Sequence, residues 1–204
     1  MARKGVLFVV SAPSGTGKTT LCGMLLAEFR DVKFSVSCTT RPPRKGETEG
    51  REYHFVSRET FLEMVKRGEF LEWAEVYGNL YGTPKEPVMQ ALREGKDILL
   101  EIDTEGAMQV KRNFPDAVLI FIAPPSIKEL ERRLKSRGTD SEQAIRERLS
   151  KAVKEMESAR HYDYILVNDK LRVAYEKLRA IVIAERCKAS RVFDAIREIT
   201  ERRS

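Results

Sequence analysis

The sequence predicts an α/β fold with a parallel sheet covered by helices on both faces. Two observations predict it: short apolar, β-branched runs recur between amphipathic stretches, and a glycine-rich turn directly follows the first run. Residues 6–11 (VLFVVS) read as a buried strand, and residues 18–29 as a helix with Leu21, Leu25 and Leu26 on one face. Residues 34–38 read as a second strand. The following TTRPPRKGETEGREYHF is rich in Pro, Gly and charge, and reads mostly as loop. A helix is expected over 57–67, with Phe61, Leu62 and Val65 as its apolar stripe. Short strands are expected around a turn over 69–83, and a helix over 84–93 that opens on proline and stops before Gly95. DILLEID (97–103) and AVLIFIA (117–123) are the clearest remaining buried strands, with a helix over about 105–112 between them. Charged helices are expected over 126–136 and 141–160, the second opened by a capping box of Thr139 and Glu142. A last strand over 164–167 precedes helices over 171–185 and 188–201. Residues 34–95 break the strand–helix alternation and read as an inserted α+β unit.

The chain has 204 residues, enough for one domain with a real core and without disulfides. Its longest apolar run has seven residues, too short to span a bilayer, and the basic start does not lead into a signal peptide. Lys and Arg number 37 against 31 Asp and Glu, a net charge of +6 that favours anionic partners without choosing among them. The three cysteines are widely spaced and form no CxxC, so neither a zinc site nor a disulfide framework is indicated. A reducing cytoplasm is the simplest setting. Two histidines, His54 and His161, argue against a histidine-based metal centre or triad.

The strongest chemical signal is SAPSGTGKTT, residues 11–20, placed between a predicted strand and a predicted helix as a phosphate-binding loop requires. Gly15 and Gly17 let the backbone turn its N–H groups toward phosphate oxygens, and the helix N-terminus adds partial positive charge. Lys18 would reach the β- and γ-phosphates, and the Thr19 hydroxyl would ligate Mg²⁺. Ala12 stands where such loops usually begin with glycine. At the end of ILLEID, Glu101 and Asp103 alternate with apolar residues and share a face where open α/β sheets bind ligands. Asp103 would hold Mg²⁺ or a substrate there; the plainer reading is two acids closing a strand.

The inserted unit suggests the second substrate. Arg41 and Arg44 flank Pro42-Pro43, which stiffens the segment, and two such arginines can clamp one phosphate. Tyr53 and Tyr81 would add hydroxyl donors. Glu72 lies in FLEWAEVYG, a stretch too apolar for an idle carboxylate. It could accept from N1–H and the exocyclic amine of guanine, and would reject adenine, which has no donor at N1. Ser37 and Thr83 would donate to the guanine O6. The alternatives are a solvated basic turn and a glutamate paired with a surface lysine.

These motifs together, APSGTGKTT, FSVSCTTRPPRKGETEGREYHFVS, GEFLEWAEVYGNLYGT, ILLEIDTEGA, IFIAPPS, RRLKSRGTD and ILVND, resemble the guanylate kinase family over nearly the whole chain. The resemblance implies a P-loop nucleoside monophosphate kinase fold with a five-stranded parallel core sheet. It implies a core of residues 1–33, 96–125 and 160–204, a GMP-binding subdomain over 34–95 and a helical lid over 126–159. It implies transfer of the ATP γ-phosphate to GMP with Mg²⁺, GMP or its deoxy form being the acceptor, and no nucleic-acid or membrane partner. ATP would meet Ala12, Pro13, Ser14, Gly15, Thr16, Gly17, Lys18, Thr19 and Thr20, with Asn168 near the adenine. The GMP phosphate would meet Arg41, Arg44, Tyr53 and Tyr81, and the base Glu72, Ser37 and Thr83, with Asp103 also in this site. Lys18, Arg133, Arg137 and Arg148 would serve the transferring phosphate, and Thr19 and Asp103 the metal. Thr83 stands where many members have serine, and Glu105 where glutamine is common. Two other readings remain: an inactive binding module of the same fold, and a related P-loop kinase of another small molecule. The intact Lys18-Thr19 pair opposes the first, and the set Ser37, Glu72 and Thr83 the second.

Overall fold

The computed structural model describes residues 3–136 and 141–193. The N-terminal run forms β1 (Leu7–Ser11), buried along its whole length at the centre of a parallel sheet. Its neighbours are β7 (Asp97–Glu101) and β8 (Val118–Ala123), and the edges are β2 (Val32–Phe34) and β9 (Tyr164–Val167). Leu7 lies opposite Ile98, and Phe8 opposite Val118. Because successive side chains leave a strand on opposite faces, β1 must be apolar on both sides to be covered twice. Val6, Phe8 and Val10 pack with Leu21 and Leu25 of α1 (Lys18–Glu28) and with Ala174, Leu178 and Val182 of α7 (Leu171–Arg186). Leu7 and Val9 pack on the other side with Val88 and Leu92 of α3 (Lys85–Arg93) and Ala107 and Val110 of α4 (Thr104–Asn113). At the foot of the sheet, the buried Asp97 carboxylate accepts from the Val6 amide at 2.8 Å, from Arg3 at 2.5 Å and from Arg186 at 2.7 Å.

A second sheet, in the order β4-β3-β6-β5, comprises β3 (Ser37–Thr39), β4 (Tyr53–Phe55), β5 (Phe70–Val76) and β6 (Asn79–Pro84). Phe61, on α2 (Arg58–Lys66), stacks on Phe70 at 4.4 Å between centroids and closes a small core with Cys38 and Leu80. The single strand expected over 34–38 is two strands in two sheets. Ser35 N–H still bonds the Leu99 carbonyl of the large sheet, and two residues later the chain has joined the small one. The β5–β6 hairpin is as expected, turned by Tyr77 (φ +49°) and Gly78 (φ +76°), two left-handed positions in a two-residue turn. Strand β4 lies inside the stretch expected to be loop. It pairs parallel to β3, so residues 40–52, with Arg41 and Arg44, form the crossing connection.

Helices α5 (Ile127–Ser136) and α6 (Glu142–Glu157) share a core of Leu130, Leu134, Ile145 and Ala152. The N-cap of α6 is Ser141, whose hydroxyl accepts from the Ala144 amide at 3.2 Å. Thr139, the expected cap, lies outside the described residues, as do Arg137 and residues 194–201 of the expected last helix. The helix expected to reach 160 tightens into a 3₁₀ turn over Ser158–His161. Among the described residues no helix is long and apolar enough to cross a membrane.

Candidate active site

The loop between β1 and α1 turns on two left-handed glycines, Gly15 (φ +94°) and Gly17 (φ +90°). A side chain at either position would be strained. It bounds a cavity of about 340 Å³ lined by Ala12, Pro13, Ser14, Gly15, Gly17, Lys18, Thr19, Thr20 and Glu155. Gly17 is the N-cap of α1 with no side-chain cap, so the first amides of that helix are open to an anion. Thr16 is the one loop residue of 12–20 that does not line this cavity. Its hydroxyl donates to the Pro13 carbonyl at 2.8 Å inside the turn. A second cavity of about 310 Å³ borders the same loop and is lined by Gly15, Thr16, Gly17, Arg133, Ser136, Asn168, Asp169 and Leu171.

The turn from β7 into α4 organises the rest. Lys18 Nζ donates to the Ile102 carbonyl at 3.2 Å, and Thr19 Oγ1 donates to Glu101 Oε1 at 2.5 Å. Asp103 is the N-cap of α4: its Oδ1 accepts from the Gly106 amide at 2.9 Å, and its carbonyl accepts from Ser11 Oγ at 3.2 Å. Sequence reasoning gives the metal role to Thr19 and Asp103; the structure puts the Glu101 carboxylate at the Thr19 hydroxyl and Asp103 Oδ1 on the Gly106 amide. The reason is topological. Glu101 ends the strand beside β1, whereas Asp103 has left the strand and is committed to its helix. The signal was present in the alternation of ILLEID, but only the adjacency of β7 and β1 separates the two acids.

On the acceptor side, Glu72 of β5 is 7% exposed, and Thr83 Oγ1 of β6 donates to its Oε1 at 2.6 Å. A Cβ added to Gly106 would lie 3.2 Å from Glu72 Oε2 and 3.4 Å from Asp103 Oδ1, so this carboxylate sits over the first turn of α4. Burial raises the Glu72 pKa above the ordinary carboxylate value, and the charge of Asp103 adds to the effect. Thr83 is expected from the sequence to donate to a guanine O6; here its single proton is committed to Glu72. Ser37 is half-buried on β3, opposite Tyr53 in register.

Of the phosphate set expected in the inserted unit, Arg41, Tyr53 and Tyr81 lie together, and Arg44 is joined to them through its backbone amide. The Arg41 guanidinium lies 5.5 Å from the Tyr53 ring centroid, and Tyr53 meets Tyr81 edge-on at 5.9 Å. Glu47 bridges the two arginines: it accepts from Arg41 at 2.9 Å and from the Arg44 amide at 2.7 Å. The Arg41 guanidinium and that amide hold its carboxyl below the usual range.

The arginines of α5 and α6 flank the glycine-rich loop. Arg148 NH1 donates to Ser14 Oγ at 3.3 Å. Arg133 is held by Glu129 at 2.8 Å and donates to the Asn168 carbonyl at 3.0 Å, so it borders the second cavity and not the first. Arg137 lies outside the described residues. Asn168, expected near a base, is 3% exposed, with Nδ2 bonded to the Thr16 carbonyl at 2.7 Å. Glu155 was not foreseen. It is a buried carboxylate of α6 facing the first cavity, its pKa raised by burial against the opposing pull of Lys151 and with Asp103 adding to the rise. No motif marks it; its seven-residue spacing from Arg148, which puts both on one helix face, was the available signal.

The arrangement is a glycine-turned loop with one lysine and one carboxylate-bound hydroxyl, joined through a single turn to a buried carboxylate on the sheet that carries the arginine–tyrosine cluster. The family described as Guanylate kinase matches residues 4–185 of this chain. The guanylate kinase of Syntrophotalea carbinolica is 52% identical over 192 residues, 94% of this chain and 91% of that protein. That of Caldanaerobacter subterraneus subsp. tengcongensis is 48% identical over 199 residues, 98% and 97% of the two chains. The crystal structure of guanylate kinase from Anaplasma phagocytophilum superposes with a TM-score of 0.72 at 37% identity, covering 93% of this chain and 90% of that one. By sequence and by fold, this chain belongs to the guanylate kinase family.

Proposed function

We propose that the chain transfers the γ-phosphoryl group of ATP to GMP, giving ADP and GDP, with the triphosphate on residues 12–20 and GMP on the inserted unit. The observation that carries this assignment is the turn from Glu101 to Gly106. In six residues it meets Thr19, Lys18 and Ser11 on the loop side and Glu72 on the other. A donor and an acceptor held at its two ends are neighbours. Residues 34–95 act as the acceptor subdomain. Residues 126–159 act as the lid, with α5 and α6 bringing Arg133 and Arg148 to the donor.

Mg²⁺ fits the donor set. The Thr19 hydroxyl gives its proton to Glu101, which leaves its lone pairs available to a hard cation. Among the described residues no group of three or more carboxylate, histidine or cysteine side chains could cage an ion. A site of this kind draws most of its oxygens from phosphates and water, the habit of Mg²⁺. Thr19 and Glu101 would hold the ion; when bound, it neutralises charge on the β- and γ-phosphates. A GMP phosphate oxygen is already anionic at neutral pH, so the attack needs no strong base. The protein's task is alignment and charge neutralisation by Lys18 and the lid arginines. Closing over both nucleotides excludes water as a competing acceptor.

A coupled assay with ATP and a panel of nucleoside monophosphates tests this reading. Turnover with GMP far above that with AMP, CMP and UMP is expected; equal use of AMP would overturn it. Arg41→Ala or Arg44→Ala should raise the KM for GMP about ten- to hundredfold and leave that for ATP nearly unchanged. Each loses one or two charge-assisted bonds of about 1.5–3 kcal/mol. A parallel rise for ATP would place the arginines elsewhere. Acidification gives a further test. Glu72 accepts both guanine donors well only when ionised, since protonation turns one of its oxygens into a donor, and its pKa lies above the ordinary carboxylate value. The affinity for GMP should therefore fall as pH drops through that raised value, at a pH where an unperturbed glutamate is still charged. Binding of guanosine, which carries no titrating phosphate, isolates this limb, and Glu72→Gln should abolish it.

A further inference from the structure

The geometry points to Asn168 as the residue that holds the phosphate loop in its anion-binding shape, a positioning role separate from any contact with the nucleotide base. Asn168 is itself fixed at both backbone ends. Its N–H donates to the Ala123 carbonyl at the end of β8 at 2.8 Å, and its carbonyl accepts from Arg133 of α5 at 3.0 Å. From this anchored point Nδ2 donates to the buried Thr16 carbonyl at 2.7 Å. Among the described residues Oδ1 has no hydrogen-bond partner, so the side chain's one bond is to the loop.

That bond fixes the peptide plane between Thr16 and Gly17. In a trans peptide the carbonyl and the N–H point opposite ways. Drawing the Thr16 carbonyl onto Asn168 therefore turns the Gly17 N–H away from Asn168. Gly17 lines the phosphate cavity and Asn168 does not. Glycine adopts positive and negative φ about equally, so Gly17 needs something outside itself to select φ +90°. The contact is close. A Cβ on Gly17 would lie 2.7 Å from Asn168 Nδ2. The other left-handed glycine is backed in the same way. A Cβ on Gly15 would lie 3.0 Å from Leu134 and 3.2 Å from Leu130, both on α5. The two supports are tied together by the Arg133–Asn168 bond.

The inference rests on the reading of residues 12–20 as the ATP site. Its test uses Mg²⁺-tripolyphosphate, which has the phosphates and no base, as a competitive inhibitor against ATP. Asn168→Leu keeps the bulk and leaves the Thr16 carbonyl without its donor. The tripolyphosphate Ki and the KM for ATP should rise together, about tenfold, with the KM for GMP within twofold of wild type. An unchanged Ki beside a raised KM for ATP would make Asn168 a base contact and overturn the inference. A common loss for ATP, tripolyphosphate and GMP would reduce it to general loosening and overturn it equally. If the variant does not fold, the wild-type protein decides. The assigned Asn168 side-chain amide resonance should shift as much with tripolyphosphate as with ATP, and a shift with ATP alone would overturn the inference. Failure of tripolyphosphate to compete in the wild type would instead strike the ATP-site reading itself.

Discussion

Replacing Glu72 by glutamine should lower kcat/KM for GMP by about a thousandfold and leave that for AMP within a few-fold. In the wild type both carboxylate oxygens are placed: Oε1 takes the Thr83 proton at 2.6 Å, and Oε2 lies over the first turn of α4. An amide in the same volume has one acceptor. If that oxygen keeps the Thr83 bond, the NH₂ faces the N1–H and amine of guanine, and three donors meet with no acceptor between them. If the amide flips, Thr83 loses its partner. AMP, which never supplied those donors, loses little. The same change should leave the melting temperature equal or higher. Burial holds the Glu72 pKa above its unfolded value, so its ionised form costs stability at neutral pH, a cost relieved as pH falls through the folded pKa. Steady-state kinetics with both nucleotides and a thermal melt check the pair of outcomes. An unchanged GMP-to-AMP ratio would mean that Glu72 does not read the base.

Lys18→Ala should lower turnover by at least about a thousandfold, with the fold intact. Among the described residues the ammonium's hydrogen bond is to the Ile102 carbonyl, at 3.2 Å, and Lys18 belongs to none of the apolar clusters. The helix it opens is held instead by Leu21 and Leu25 in the sheet core. Its worth lies in charge that appears on the transferring group, so the loss should fall mainly on the chemical step. Single-turnover measurements at saturating ATP would show this; near-normal rates in a folded variant would remove Lys18 from the mechanism.

The sequence makes the large sheet legible because its strands are buried on both faces and so read as continuous apolar runs. Residues 34–38 are misread for the converse reason. An apolar run carries no mark of which sheet it joins, and Phe34 and Ser37 belong to different ones. Strand β4 escapes because three residues are too few for a period, and its pairing with β3 is decided across the 40–52 connection. At the site, residues that act through backbone turns or through charge next to a motif, such as Lys18, Arg41 and Glu72, are visible from their neighbours in sequence. Glu101, Glu155 and Asn168 take their meaning from neighbours far along the chain: Thr19, the loop cavity and Thr16. The local signals in ILLEID, in ILVND and in the Arg148–Glu155 spacing mark these residues without assigning their partners.

The central place of β1 also bears on how the polypeptide reaches its native state. Among the described residues it is the first strand in the sequence, yet its partners on either side begin at Asp97 and Val118. Both contacts close long loops, the kind that slows folding. Until then a nascent chain carries an apolar strand with two open edges, a template for mispairing with other chains. The nucleotide loop hangs from the end of that strand. Its support at the Thr16 carbonyl comes from Asn168, later in the sequence than either partner strand.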